Sequence, residues 1–288
     1  MTNISAKYLL SIDVEDWFQT ENLHHVITYE SWSSQQLRIE KNIDIILDIL
    51  DKKSVTATFF ILGWIAERLP GMVRRLSELG HEIASHGYRH QLIYSMTPEE
   101  FRRDVKKTKS KLEYIIGKKV YGYRAPSFSI TDWSIEILAE EGYIYDSSVF
   151  PILIHNRYGK LEKYIVDESP INVLLPNFTE IKLSSMSFLG ADYPWAGGGY
   201  FRMIPYPLFK RGLKKIIERK NIYCFYIHPW EFDPDQPMVD NLKSLYKIRH
   251  YLNLKKTAKR FEAMLNDFKF EPLRSVLPVA MDTKNVVP

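Results

Sequence analysis

The feature that most narrows the choice of fold is an alternation of short apolar runs with longer segments of helical periodicity. Tyr8-Leu9-Leu10-Ser11-Ile12-Asp13 reads as a buried first strand. Arg38 to Lys52 places Ile39, Ile43, Ile46, Leu47 and Leu50 on one face of a helix. Val55 to Leu62 is a second strand closed by Gly63, and a helix follows from about Pro70 to Leu79, stopped by Gly80. Ile83 and Ala84 open a strand ending near Ser85. Thr97-Pro98-Glu99-Glu100 has capping-box spacing with proline at the first helical position, so a long helix is expected to about Ile116, ended by Gly117. Val120 to Tyr123, a helix over Thr131 to Glu141, Tyr143 to Tyr145, a helix over Leu208 to Lys220 and the strand Ile222 to Ile227 continue the pattern. A last amphipathic helix is expected over about Thr257 to Asp267. Between Ser148 and Tyr206 the pattern is lost, with Ile171 to Leu175 and Thr179 to Leu183 the best strand candidates.

Strands alternating with helices imply an α/β fold with a mostly parallel sheet, open or closed into a barrel. In such folds a ligand site gathers at the C-terminal ends of the strands. Asp13 to Asp16, His86, Arg124, Asp146 to Ser148 and His228 all fall at such ends. A chain of 288 residues, 45% of them hydrophobic, can bury a large core. Without internal repeats or low-complexity linkers, the expectation is one domain over residues 1–288, with a core of about 8–232 and a C-terminal extension of about 233–288.

His86 and His90 stand four apart, a spacing that in a helical turn lets two imidazoles share one metal ion. Two histidines and a carboxylate leave coordination positions open, as a catalytic ion requires. A second carboxylate can then serve as general base, with Arg124 orienting it by a charge-assisted pair. His228, entering from a distant strand, suits a general acid, and Trp230 beside it offers an apolar face for a sugar ring. For the carboxylates, strand alternation puts Asp13 and Glu15 on one face and turns Asp16 to the other, unless a bulge at the strand end re-aims Asp16.

Other classes find less support. The net charge of +4 is mild, its basic clusters fall on helices, and nothing further points to nucleic acid. An anionic glycan or a membrane surface stays open as a weak partner. The single cysteine, Cys224, excludes an intramolecular disulfide and sits in an apolar run, where an inert thiol is expected. A polar N-terminus without a signal-like segment, and no stretch of membrane-spanning length, lead to the expectation of a cytoplasmic protein without stable membrane insertion.

Asp13-Val14-Glu15-Asp16, Ser85-His86-Gly87-Tyr88-Arg89-His90, Arg124-Ala125-Pro126 and Ile227-His228-Pro229 resemble, in order, the motifs of the polysaccharide deacetylases. This is carbohydrate esterase family 4, the chitooligosaccharide-deacetylase homology domain. Thr58-Phe59-Phe60 and Gly80-His81-Glu82-Ile83 are similar to it too, and the resemblance covers roughly residues 8 to 232. It implies a distorted (β/α) barrel with a C-terminal helical extension here, and a divalent ion, usually zinc, for removal of N-acetyl groups from an amino sugar. It further implies that His86, His90 and an aspartate of the first motif bind the ion. Asp13 would be the base, Arg124 its partner and His228 the acid, with the backbone N–H of Ser127 helping to hold the oxyanion.

Three departures stand out. Val14 and Glu15 separate Asp13 from Asp16; the expected ligand is Asp16, whose shorter side chain matches the family's ligand type, with Glu15 in reserve. Ser127 replaces an aromatic residue, with Phe128 one place later. Trp195 to Arg202, with its glycine run, and the tail through Arg249-His250-Tyr251 have no counterpart in the minimal domain. They look like the variant found beside bacterial exopolysaccharide gene clusters, with the glycine run either shaping the substrate groove or forming a surface loop. The expected function is metal-dependent N-deacetylation of an amino-sugar glycan of a bacterial polysaccharide or its precursor. Hydrolysis of a small cyclic amide or ureide, and an inactive glycan-binding protein, are the alternatives.

Overall fold

The sheet is built outward from β1 (Lys7–Val14), buried from Leu9 onward. A strand buried on both faces is what a parallel sheet demands when helices cover one side and a closed interior lies on the other. The structure is a computed structural model, which describes residues 6–278 apart from 152–158, 160, 165–166, 189, 241 and 243. Residues 1–5, part of the polar N-terminus on which the expectation of no leader rests, lie outside the described residues. After β1 come α1 (Ile39–Lys52), β2 (Thr58–Ile61), α2 (Gly63–Arg68), α3 (Pro70–Glu78), β3 (Glu82–Ser85), α4 (Pro98–Ile116), β4 (Gly122–Tyr123), α5 (Asp132–Glu140) and β5 (Tyr145–Asp146). Helix α4 starts as its sequence prescribes. Thr97 Oγ1 accepts from the Glu100 N–H while the Glu100 carboxylate accepts from the Thr97 N–H, a cap worth about 1 kcal/mol.

The second half adds β6 (Ile171–Leu175), β7 (Phe178–Ile181), a separate hairpin of β8 (Ser185–Phe188) and β9 (Ala191–Pro194), then α6 (Gly198–Met203), α7 (Tyr206–Lys220) and β10 (Ile222–Ile227). The helical C-terminal part consists of α8 (Ser244–Tyr251) and α9 (Leu254–Asp267), and β11 (Phe270–Glu271) follows. The strand order is β10-β1-β2-β3-β4-β5-β7-β6, parallel throughout except at β6–β7. On one edge of β1 two partners divide its length: β11 pairs with Tyr8 and Leu9, and β2 with Ser11 to Val14. The sheet curls into a half-barrel. Backbone bonds from Ser184 N–H to Cys224 O and from Tyr226 N–H to Ala196 O bring the segment after β7 onto β10.

Two cores follow from the period of two along each strand. Leu10, Ile12, Val14, Phe59, Ile61 and Ile83 face the helices, whereas Leu9, Phe60, Ala84, Cys224 and Tyr226 form a second cluster on the inner face. Continuing the inner register leads from Leu9 through Ser11 to Asp13, from Ala84 to His86, and from Cys224 through Tyr226 to His228. The polar residues at the strand ends therefore converge because they extend one face of one sheet.

Some elements differ from the sequence expectation. Gly63 opens α2 instead of merely closing a strand, and the glycine run at 197–199 leads into α6, where a mobile surface loop was one of two readings. Low helix propensity hides both. Helix α8 and the β8–β9 hairpin also lack a clear periodic signal; both are short and carry polar residues among their apolar ones.

Candidate active site

The four motif segments meet at the mouth of the half-barrel, in a cleft with a cavity of about 70 Å3 between Asp13, Glu15, His86, His90, Ser127 and His228. His86 follows β3 directly. Its Nδ1 lies 2.8 Å from the Arg124 carbonyl oxygen, to which it donates, and its Nε2 is turned into the cleft toward Glu15. His90 does not reach the site through a helical turn. The segment between the histidines is irregular, and His90 has a left-handed backbone at φ 55. That loop is held from outside: the N–H groups of Gly63 and Trp64 at the start of α2 donate to the carbonyls of Gly87 and Tyr88, and the Tyr88 N–H donates to the Asp104 carboxylate.

The carboxylate between the two histidines belongs to Glu15. Its Oε1 is 3.1 Å from His86 Nε2 and 3.0 Å from His90 Nε2, and all three side chains are buried. These donors lie close enough together to hold one metal ion. Two imidazole nitrogens and one carboxylate oxygen form a donor set of the catalytic kind, so the residues fit a divalent cation. Burial alone would raise the Glu15 carboxyl, but the charges of His90 and His228 and hydrogen bonds from both facing histidines hold it well below the usual range.

The structure does not bring Asp16, the expected ligand, to the histidines. Its Oδ1 accepts from the Trp17 N–H and its Oδ2 from the N–H groups of Arg38 and Ile39, at 2.7–3.0 Å. No bulge re-aims it. Alternation along β1 carries through to Glu15, and Asp16 instead ties the strand end to the start of α1. Burial outweighs these three donors and pushes its carboxyl up to about 6.

Asp13 and Arg124 form an ion pair, Nη1 to Oδ1 at 2.6 Å with both side chains buried. Arg124 also donates to Ser11 Oγ, to the Ser147 carbonyl and to Ser147 Oγ, and its guanidinium lies over the Phe60 ring at 4.2 Å. A fully buried cation is tolerable only with such a set of acceptors. The other carboxylate oxygen of Asp13 faces His228, 4.0 Å from its Nε2; Glu15 Oε1 is also 4.0 Å from that nitrogen.

His228 is fixed by a residue that the motif reading overlooked. Glu231 Oε1 lies 2.8 Å from His228 Nδ1 and accepts from the His228 N–H, while its Oε2 pairs with Arg202 at 2.6 Å. The signal was present as a glutamate three residues after His228, the geometry of a capping box. Buried Arg202 in turn donates to the carbonyls of Arg249, His250 and Leu252. Burial would lower the His228 imidazole, but Glu15, Glu231 and Asp13 together push it up to about 9.

Ser127 and Phe128 both have left-handed backbones, at φ 49 and 59, and line the cleft. Such strain in two successive non-glycine residues is a feature of sites where the backbone is aimed at a ligand. Trp230 also lines the cleft but gives less open ring than expected: it is 5% exposed, and the His250 imidazole stacks on it at 4.4 Å and 7°. Gly197, at φ 135, lies so close to β10 that a Cβ would come within 1.9 Å of the Tyr226 carbonyl oxygen. The glycine run is thus the price of laying the head of α6 against the cleft wall.

The fold has counterparts among known proteins. Residues 21–145 match the family described as polysaccharide deacetylase, and residues 147–278 match a domain of unknown function (DUF3473). A peptidoglycan-N-acetylglucosamine deacetylase of Bacillus cereus is 31% identical over 117 residues, 35% of this chain and 42% of the relative. A peptidoglycan-N-acetylmuramic acid deacetylase of Bacillus subtilis is 29% identical over 126 residues, 42% of this chain and 47% of the relative. The matched segment thus spans less than half the length of these curated relatives. Among solved structures, a putative polysaccharide deacetylase from Mycobacterium smegmatis superposes with a TM-score of 0.62 at 17% identity, covering 96% of this chain and 91% of that one. Puue allantoinase superposes with a TM-score of 0.58 at 13% identity, covering 94% of this chain and 88% of the other. Both likenesses concern the fold. No helix among the described residues is long and apolar enough to cross a membrane.

Proposed function

From the premise that this chain carries a polysaccharide deacetylase domain of carbohydrate esterase family 4, we propose that it hydrolyses the N-acetyl group of an amino-sugar glycan with a divalent cation, zinc by preference. One observation carries the reading. A single oxygen of Glu15 lies 3.0–3.1 Å from two imidazole nitrogens, and an aspartate and a histidine face each other across the same cleft at 4.0 Å. Glu15, His86 and His90 would hold the cation; Asp16 would keep the strand end in place. When bound, the cation supplies Lewis acidity, polarising the acetamido carbonyl and acidifying water.

Asp13, oriented by Arg124, takes the proton of the water that adds to the carbonyl carbon. The N–H of Ser127, a residue that lines the cleft, would donate to the oxygen that gains charge. As the C–N bond breaks, His228 delivers a proton to the departing nitrogen, its ring held by the Glu231 contact at Nδ1 so that Nε2 faces the cleft. Acetate and a free amine result. The small cavity suits an acetamido group, with the rest of the sugar outside.

The test is release of acetate from N-acetylglucosamine oligomers, peptidoglycan fragments and acetylated exopolysaccharide. Each is assayed with and without a chelator, and a cyclic ureide serves as the control. Acetate release that stops with chelator and returns with zinc is the expected result. Hydrolysis of the ureide alone would replace this reading with that of a cyclic amide hydrolase.

A further inference from the structure

Away from the cleft, a cavity of about 450 Å3 opens between the β8–β9 hairpin and helix α7. Its floor is apolar, with Met186, Trp195 and Ile216, and two large apolar side chains stand at its rim largely in water: Phe188 is 58% exposed and Leu208 54%. One side is formed by Arg211, Lys215, Arg219 and Lys220, the first three spaced by four along α7 and so aligned in one stripe. Their neighbour Lys210 is salt-bridged to Asp267 at 2.6 Å, but among the described residues these four cations form no ion pair or hydrogen bond. No carboxylate among the described residues forms an ion pair with them. Glu218 is the one carboxylate of α7, and Asp192 accepts from Ser187 within the hairpin.

Exposed aromatic and aliphatic side chains beside a row of unpaired cations complement a surface that is apolar beneath and anionic above. A soluble polyanion would satisfy the cations but leave Phe188 and Leu208 in water, so the combination favours a bilayer. We propose that the β8–β9 hairpin and α7 form a peripheral docking face for an anionic lipid bilayer. Phe188 and Leu208 enter the boundary between headgroups and acyl chains, and Arg211, Lys215, Arg219 and Lys220 lie over the lipid phosphates. No residue lining this cavity also lines the catalytic cleft, so docking and hydrolysis are separable.

The full chain is sedimented with vesicles of phosphatidylcholine alone and of phosphatidylcholine mixed with phosphatidylglycerol. Binding to the mixed vesicles only, weakened by salt, is expected. Replacing Arg211→Gln, Lys215→Gln and Arg219→Gln together should lower the partition by roughly two orders of magnitude, since each cation near an anionic surface contributes about fivefold. Phe188→Ser should lower it by about tenfold. Both variants should keep the wild-type circular dichroism, melting temperature and activity on a soluble substrate. Failure to bind the mixed vesicles would overturn the proposal, as would equal binding by the triple variant. So would binding that needs the cations but ignores Phe188→Ser and is matched by a heparin column, which would identify a soluble polyanion.

Discussion

Asp13 and His228 face each other across the cleft, yet they are held in opposite ways. Asp13 is fixed from inside the half-barrel: Arg124 reaches it from the end of β4, and the partners of Arg124 are a serine of β1 and Ser147 just after β5. His228 is fixed from outside, through Glu231 and then Arg202, whose remaining bonds go to carbonyls at the end of α8 and in the turn after it. The first arrangement needs only the sheet. The second needs α6 and α8 to dock correctly, and both lie in the segment matched by the domain of unknown function. On this comparison the C-terminal part would serve the proposed reaction by holding His228, while Asp13, Glu15, His86 and His90 belong to the half-barrel itself.

The largest effect that bears on this contrast comes from the proposed metal-binding set. Glu15→Ala, or His86→Ala with His90→Ala, should remove bound zinc and turnover together, whereas Asp16→Ala should retain zinc and lose stability through three orphaned backbone N–H groups. Metal content by elemental analysis and a melting curve on each variant decide it. Zinc retained in Glu15→Ala and lost in Asp16→Ala would restore Asp16 as the ligand.

Next in size are the two residues proposed to transfer protons. Asp13→Asn and His228→Ala should each cut kcat by roughly two to four orders of magnitude, the usual worth of one general acid or base, with zinc still bound. Steady-state rates on an acetylated oligosaccharide check this. An unchanged rate in His228→Ala would make the outer network purely structural.

Arg202→Met tests that network directly. Removing one partner of a buried ion pair costs about 3–5 kcal/mol, and combining it with Glu231→Leu should recover part of the loss. Denaturant unfolding measures both. If Arg202→Met lowers stability without lowering kcat in the folded fraction, His228 does not depend on the C-terminal part.

The smallest effect lies behind the inner network. Asp146 and Glu180 are buried partners across β5 and β7, next to the serine that holds Arg124. Burial pushes Asp146 up to about 6, and burial together with the adjacent Asp146 charge raises Glu180 well above the usual range. Raised carboxyl values mean that the folded protein retains a proton the unfolded chain gives up. Their contribution to stability is therefore complete below the ordinary carboxylate range of about 4 and is lost as pH rises through about 6 and beyond. Glu180→Gln mimics the protonated form, so its melting temperature should fall less than that of wild type between pH 5 and pH 9, in about the same way at low and high salt because the pair is buried. Parallel melting profiles would show that the pair does not share a proton.

Much of this molecule was written in local patterns. The spacing Thr97 to Glu100 set the start of α4, and the alternation Leu9, Ser11, Asp13 determined which residues of β1 face inward. That same alternation already favoured Glu15 over Asp16, and in the structure it is Glu15 that lies beside the two histidines. Glu231 was legible too, because it lies only three residues from His228.

What the tertiary structure alone decided is where long-range backbone groups find their partners. Asp16 is occupied by N–H groups 22 and 23 positions away, and Arg202 by carbonyls 47 to 50 positions away. No period in the chain encodes such pairings, since they depend on how helices of several lengths come to rest against one sheet. A side chain's face follows from the geometry of its own strand, but its partner follows from the packing of the whole.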